Sequence, residues 1–127
     1  MEDRALEFVD VTKDGRVLVF GVLDGHGGED AVEFLRRNLP QHLVSLYTEN
    51  KNNIAQYFTQ VFFDVNEKLR EKNYDHQGAC ICLLMLRIEY EDNSIVEDWN
   101  EEREDKKIVK GYVANLGDSR AVLNKNG

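Results

Sequence analysis

The spacing of apolar residues changes twice along the chain, which predicts strands on both sides of a helical region. Residues 5–11 alternate weakly and residues 16–23 are almost continuously apolar, with the turn Lys13-Asp14-Gly15 between them, so they predict a hairpin leading into a buried strand. Residues 79–88 and 109–123 are rich in β-favouring side chains and predict three further strands. Two strands, two helices and three strands in this order favour a layered α+β domain.

Both predicted helices carry an apolar stripe at helical spacing. The first helix begins at Glu29 and Asp30, whose negative charges favour a helix N-terminus, and Pro40 is expected to kink or restart it. Its apolar positions are Ala31, Leu35, Leu39, Leu43 and Leu46. The stripe of the second helix consists of Ile54, Phe58, Val61, Phe62, Val65 and Leu69. Both stripes predict contacts with a hydrophobic core rather than a cofactor site.

Size and composition indicate one soluble globular domain, since the chain has 127 residues of which 42% are hydrophobic and 31% charged. No apolar run reaches the ~18 residues of a membrane helix, and the start of the chain lacks the apolar core of a signal peptide. Neither secretion nor a membrane partner is therefore expected. The formal charge of −8 argues against a nucleic-acid partner.

Acidic side chains are concentrated between Glu89 and Lys107, where nine acidic and three basic residues contribute −6 to the charge. Such a segment is typical of a solvated, mobile insertion between core elements. The alternative is an acidic docking patch for a basic partner, in which Trp99 would supply an apolar contact.

The two cysteines, Cys80 and Cys82, are two residues apart in a predicted strand and therefore lie on one face of it. A disulfide between them would be strained, so both are expected to be buried thiols. The chain's three histidines are scattered, which does not match a zinc-binding pattern. A reduced cytoplasmic or nuclear location is expected.

Candidate chemistry follows the predicted buried strand, in the run Asp24-Gly25-His26-Gly27-Gly28. Asp24 has two oxygens to offer to a hard cation such as Mg²⁺ or Mn²⁺, and His26 is a candidate proton donor. The glycines allow a sharp turn and a close approach of the backbone to a ligand. A simpler interpretation, a glycine-rich turn whose aspartate caps the next helix, explains the same residues and stays open.

Three motifs in order resemble those of the metal-dependent protein serine/threonine phosphatases, the type 2C family. Residues 20–28 resemble its metal-binding segment, Glu2-Asp3 resembles its Glu-Asp pair near the start of the domain, and residues 115–121 resemble its later Gly-Asp-Ser-Arg turn. The resemblance implies a hydrolase acting on phosphoproteins and monomeric in its full-length form. It also implies part of a four-layer αββα sandwich, with two antiparallel β-sheets flanked by helices.

The resemblance further implies a metal site built from the first two motifs. Asp24 corresponds to the carboxylate that bridges two Mg²⁺ or Mn²⁺ ions, and Gly25 to the residue whose backbone carbonyl coordinates one of them. Glu2 corresponds to a carboxylate on that same ion, and Asp3 would support these ligands.

Two more residues receive roles in the same way. Asp118 corresponds to a carboxylate associated with a third, loosely held metal ion, and His26 to the general acid. The chemistry is coherent, because paired cations lower the pKa of a shared water and a nearby imidazole can protonate a departing oxygen.

The chain departs from the family pattern in three places. The family's phosphate-binding arginine falls before Met1, its remaining metal aspartates would follow Gly127, and Gly78-Ala79-Cys80-Ile81 replaces a Gly-Ser-Thr-Ala-like run. Residues 1–127 are therefore expected to be the N-terminal part of one phosphatase domain, with an acidic insertion at about 89–107, inactive by itself and with one apolar sheet face uncovered. The alternative is a non-catalytic interaction module, a pseudophosphatase or truncated product, that uses the acidic insertion.

Overall fold

Strands and helices follow one another in the predicted order in the computed structural model, with one short additional helix between the two predicted ones. It describes the backbone of residues 2–25, 29–72, 79–116 and 121–126 and the side chains of residues 5–23, 30–72 and 80–115. The strands are β1 (Glu2–Asp10), β2 (Val17–Gly25), β3 (Ala79–Tyr90), β4 (Lys107–Leu116) and β5 (Ala121–Asn126). The helices α1 (Glu29–Ser45), α2 (Tyr47–Asn50) and α3 (Ile54–Glu71) all lie between β2 and β3 in sequence.

The five strands form one antiparallel sheet in which each strand lies beside its neighbours in sequence. β1 and β2 make the predicted hairpin, with a register shift between Leu6 and Val9. The predicted α+β class is confirmed. Within the described parts of the chain, none of the helices combines the length and apolar character that a membrane crossing requires.

The hydrophobic core lies between one face of the sheet and the helices. Alternate residues of β2 and β3 are buried on this face: Val17, Val19, Leu23, Ile81, Leu83 and Met85. They meet buried residues of the predicted helical stripes, among them Ala31, Leu35, Leu39, Leu43, Phe58, Val61 and Val65. Gly21 is directly opposite Leu83, and a Cβ at this position would lie 2.7 Å from Leu83 Cδ2. The absence of a side chain at Gly21 therefore leaves room for Leu83 in the core.

Helix α1 continues through Pro40 to Ser45, so of the two predicted effects of this proline, a kink or a restart, the restart is wrong. A proline inside a helix costs about 3 kcal/mol, whereas burying one leucine side chain contributes about 1.5–3 kcal/mol. Leu39 and Leu43, on either side of Pro40, are both fully buried, so the continuous stripe outweighs the proline. The hydroxyl of Tyr57 in α3 also donates a hydrogen bond to the carbonyl of Leu43, which ties the two long helices together.

The opposite face of the sheet is apolar and is not covered by any described part of the chain. Phe8, Val22 and Val109 are 60%, 54% and 57% exposed. This confirms the expected uncovered face.

Cys80 and Cys82 are exposed, so the prediction that they are buried is wrong. The two cysteines alternate along β3 with Ile81, which is buried against the helices. Because β3 is apolar on both faces, its sequence did not show which face the helices cover.

Residues 91–106, here called the acidic loop, connect β3 to β4. The indole Nε1 of Trp99 donates a hydrogen bond of 2.7 Å to the carbonyl of Asp14, in the β1–β2 turn. Glu97 pairs with Lys51 at 2.9 Å, which links the loop to the segment after α2. The loop therefore makes defined contacts with two other parts of the chain, where the sequence predicted a mobile insertion.

Candidate metal centre

One end of the sheet brings together the strand termini that carry the candidate metal ligands. In the register of β1 and β2, Glu2 lies opposite Gly25 and Asp3 lies opposite Asp24. Directly opposed residues in antiparallel strands have Cα atoms about 4.5–5.5 Å apart. Two motifs that are separated in sequence are therefore cross-strand neighbours.

The same end of the sheet also includes termini of β3 and β4. Gly25, the last residue of β2, is paired with Ala79, the first residue of β3. Leu116, the last residue of β4, is paired with Ile81. The third motif, residues 115–121, therefore begins on β4 at the sheet end where the first two motifs lie.

Packing fixes the backbone on both sides of the Asp-Gly-His segment. Leu23, immediately before Asp24, is fully buried. In the first turns of α1, Ala31 and Val32 are 0% and 1% exposed. The strand before residues 26–28 and the helix after them are therefore both packed into the core.

The structure places some of the predicted site residues and leaves others outside the described residues. The backbone, though not the side chain, is described at Glu2, Asp3, Asp24 and Gly25. His26 and Asp118 lie outside the described residues. The predicted roles of all six residues stay predictions.

The donor types at this sheet end fit a hard divalent cation. The backbones of Glu2, Asp3, Asp24 and Gly25 are cross-strand neighbours there, three of these residues carry carboxylates, and Mg²⁺ and Mn²⁺ prefer oxygen ligands. Among the side chains that the structure describes, no group of three or more from His, Cys, Asp and Glu is placed to hold a metal ion. The case for a metal centre therefore rests on the strand register and the ligand chemistry.

A buried ionic network, which the sequence analysis missed, lies toward the other end of β3. Arg87 and Glu89 are 5% and 0% exposed, and Arg87 Nε donates to Glu89 Oε2 at 2.8 Å. The Tyr112 hydroxyl also donates to Glu89 Oε2, and Arg87 Nη1 donates to the Lys51 carbonyl at 2.7 Å. Burial, together with the hydrogen bond to Glu89, raises the pKa of Tyr112 to about 12, so its hydroxyl remains a donor.

Glu89 therefore does not belong to the solvated acidic segment to which the sequence assigned it. A signal was present, because Arg87 and Glu89 continue the every-second-residue pattern of Ile81, Leu83 and Met85. Because many acidic residues follow Tyr90, Glu89 was grouped with them instead of with the buried positions of β3.

Comparison with known proteins decides the family, because the model of the family described as "Protein phosphatase 2C" matches residues 1–127. The chain belongs to the protein phosphatase 2C family. It is 33% identical to protein phosphatase 1L of Bos taurus, over 97% of this chain and 31% of that protein. It is 30% identical to probable protein phosphatase 2C 2 of Arabidopsis thaliana, over all of this chain and 29% of that protein.

A solved structure supports the fold. A phosphatase from Toxoplasma gondii matches with a TM-score of 0.61 and 18% sequence identity, over 98% of this chain and 47% of that one. The resemblance inferred from the three motifs and the layered fold that it implied are confirmed. The chain spans about a third of the length of the curated 2C phosphatases that it matches.

Proposed function

We propose that this chain is part of a domain that removes phosphate from phosphoserine and phosphothreonine in proteins, with Mg²⁺ or Mn²⁺ as cofactor. Family membership supports a protein phosphatase function. The observation that carries the proposal is the pairing of Asp3 with Asp24 and of Glu2 with Gly25 at one end of the sheet. The first pair sets carboxylate residues of two separate motifs opposite each other, and the second sets Glu2 beside the residue whose carbonyl is the other proposed ligand.

In this proposal the chain's own residues divide into metal ligands and a proton donor. Asp24, Glu2 and the Gly25 carbonyl would hold two cations, and Asp118 would contribute to a third. Cations held there would supply activation of a water molecule as the nucleophile. His26 would hold a proton and donate it to the departing serine or threonine oxygen.

We further propose that residues 1–127 do not turn over substrate by themselves. Hard divalent cations take six or more oxygen ligands, so two carboxylates and one carbonyl leave most positions of a metal pair unfilled. The longer relatives have room for further ligands, since this segment is 31% of one and 29% of another. For the full-length protein we propose a monomer in the reducing cytoplasm or nucleus.

The test is Mn²⁺-dependent hydrolysis of p-nitrophenyl phosphate and of a phosphothreonine peptide. The 127-residue chain is compared with a longer protein that contains it, each with and without Asp24→Asn. Glu104→Gln, which neutralises an exposed acid of the acidic loop, is the matched control. The expected result is turnover only by the longer protein, lost in Asp24→Asn and retained in Glu104→Gln. Equal turnover by Asp24→Asn and Glu104→Gln would contradict the proposal.

A second candidate function is a non-catalytic interaction module, which the acidic loop favours. Trp99 of this loop is held in place by the hydrogen bond from its indole to the Asp14 carbonyl, and it is still 44% exposed among acidic neighbours. If the longer protein is inactive and Trp99→Ala or charge reversal in the loop abolishes binding to a basic peptide, this second function replaces the first.

A further inference from the structure

A histidine lies in the packed contact between the two long helices. His42 is half-buried in the last turn of α1, next to Leu43, which is fully buried. The Tyr57 hydroxyl of α3 donates to the Leu43 carbonyl, so this turn of α1 is held against α3. The Nε2 atom of His42 is buried and, among the residues that the structure describes, has no hydrogen-bond partner. His42 is therefore a titratable group at a helix contact that the proposed phosphatase chemistry does not use.

The protonation state of the ring decides whether this burial is tolerated. A neutral imidazole carries a proton on one nitrogen only, so Nε2 can stay unprotonated and needs no acceptor. The imidazolium carries protons on both nitrogens, so Nε2–H would be a charged, buried donor without an acceptor in the described part of the chain. The folded helix contact therefore favours the neutral ring.

Burial and a neighbouring cation act on the ring in the same direction. Burial is the larger cause and lowers the pKa of His42 below its usual value of 6.5; Lys68 lowers it further, whereas Asp64 raises it. Lys68 and Asp64, both on α3, are the charged groups of the described elements that act on the ring. The C-terminal end of α1 also favours a cation, but this effect is smaller than the cost of burying a charged donor without an acceptor.

We propose that His42 is an acid-sensitive switch in the contact between α1 and α3. At neutral pH the uncharged ring packs against α3. As the pH falls, Nε2 takes up a proton from solvent, and the cation favours a state in which this turn of α1 has separated from α3 and Nε2 is hydrated. The candidate metal centre lies before the opposite end of α1, so the switch does not depend on the proposed phosphatase function.

The pH range of the switch follows from the direction in which folding changes the pKa. A histidine whose pKa is lower in the folded than in the unfolded chain contributes its full stability above the unfolded value, about 6.5. This stability is lost as the pH falls below that value, and the loss levels off below the folded pKa. Because one proton is taken up, the folding equilibrium constant should fall by at most about tenfold per pH unit.

The first measurement is the NMR titration of the His42 ring resonances in the folded 127-residue chain, from pH 8 to pH 5. The expected midpoint lies below 6.5 in the wild type. It should move up in Lys68→Met, which removes the repelling cation, and down in Asp64→Asn, which removes the attracting carboxylate. A wild-type midpoint at or above 6.5 would overturn the proposal, and this result does not require any variant to fold.

The second measurement compares urea unfolding of three proteins between pH 7.5 and pH 5.5. In the wild type and in Gln41→Leu, a control at the exposed neighbouring position, the folding equilibrium constant should fall toward acid pH by the amount described above. In His42→Leu, which places an apolar side chain that does not titrate at the same position, the fall should be smaller. An equal fall in the wild type and in His42→Leu would also overturn the switch.

Amide hydrogen exchange shows where the structure opens. After correction for the pH dependence of the intrinsic exchange rate, protection of residues 39–46 should decrease between pH 7.5 and pH 5.5 in the wild type, by at most about tenfold per pH unit. In His42→Leu it should stay constant. Equal decreases in the two proteins would place the acid effect at another group and contradict the assignment to His42.

Discussion

Removing the carboxylate of Glu89 is expected to destabilise the fold by about 3–5 kcal/mol, because it leaves a buried guanidinium without its counter-charge. The Glu89 side chain is fully buried and the Arg87 side chain is 6% exposed, so water cannot replace the missing partner. In Glu89→Ala, Arg87 Nε loses an acceptor that lies at 2.8 Å, and the Tyr112 hydroxyl loses the same acceptor.

The remaining contacts of Arg87 place the expected loss near the lower end of this range. Arg87 Nη1 keeps the Lys51 carbonyl at 2.7 Å, and Nη2 keeps the Tyr112 hydroxyl at 3.2 Å. Domains are typically stable by only about 5–15 kcal/mol, so a loss of about 3 kcal/mol is large enough to measure without ambiguity.

The assay is urea unfolding at pH 7 followed by circular dichroism, with two companion variants. Arg87→Met/Glu89→Leu removes both charges and should recover most of the stability, because the uncompensated charge is gone. Glu97→Ala breaks the exposed pair with Lys51, whose glutamate side chain is 51% exposed, and should cost at most about 1 kcal/mol. An equal loss of unfolding free energy in Glu89→Ala and Glu97→Ala would show that the buried pair contributes no more than the exposed one.

Three further changes test the core and its hydrogen bonds. Tyr57→Phe removes the hydroxyl that donates to Leu43 and should lower the unfolding free energy by about 1 kcal/mol in urea, whereas no change would mean that this bond contributes nothing. Leu35→Ala, at a position 1% exposed, should cost about 2–5 kcal/mol in the same assay, and a loss below about 1 kcal/mol would contradict the packing described. Burial raises the pKa of Tyr112 from 10.0 to about 12, so its contribution to stability is complete below pH 10 and is lost as the pH rises toward 12. Unfolding free energies measured across this pH range should fall less steeply in Tyr112→Phe, and identical slopes would count against this assignment.

The strands and the long helices were predictable because their apolar residues follow the period of the structure that they form. Leu35, Leu39 and Leu43 repeat every four residues along α1, and all are buried. Pro40 favoured a break, but a local preference does not include the free energy that the neighbouring leucines gain against the sheet. The prediction of a kink or a restart rested on this local preference alone, and the restart is the part that the structure contradicts.

The positions of Cys80 and Glu89 were mispredicted because strand periodicity does not identify the covered face. In the run from Cys80 to Tyr90, nearly every side chain on either face is apolar, so alternation gives no contrast. Glu89 was grouped with the charges that follow it, although the partners that neutralise it come from β3 and β4. Partners separated in sequence become visible only when the strand register is known.

The motifs of the candidate metal site could be predicted from the sequence, but the positions of their residues relative to one another could not. Sequence order does not show that Asp3 faces Asp24, since this depends on the register of β1 and β2 and on the shift between Leu6 and Val9. The family resemblance supplied the roles, and the register supplied the juxtaposition.

Binding of Mn²⁺ to the longer protein that contains this chain tests the central claim most directly. The paramagnetic resonance signal of free Mn²⁺ disappears on binding, so a titration gives both the number of sites and their affinity. The account predicts two tightly bound ions, apart from a third held loosely, in the wild type and in Glu104→Gln, with an affinity for the tight pair at least about tenfold weaker in Asp24→Asn. If Asp24→Asn binds Mn²⁺ as tightly as Glu104→Gln, the strand-end carboxylates do not form the metal centre.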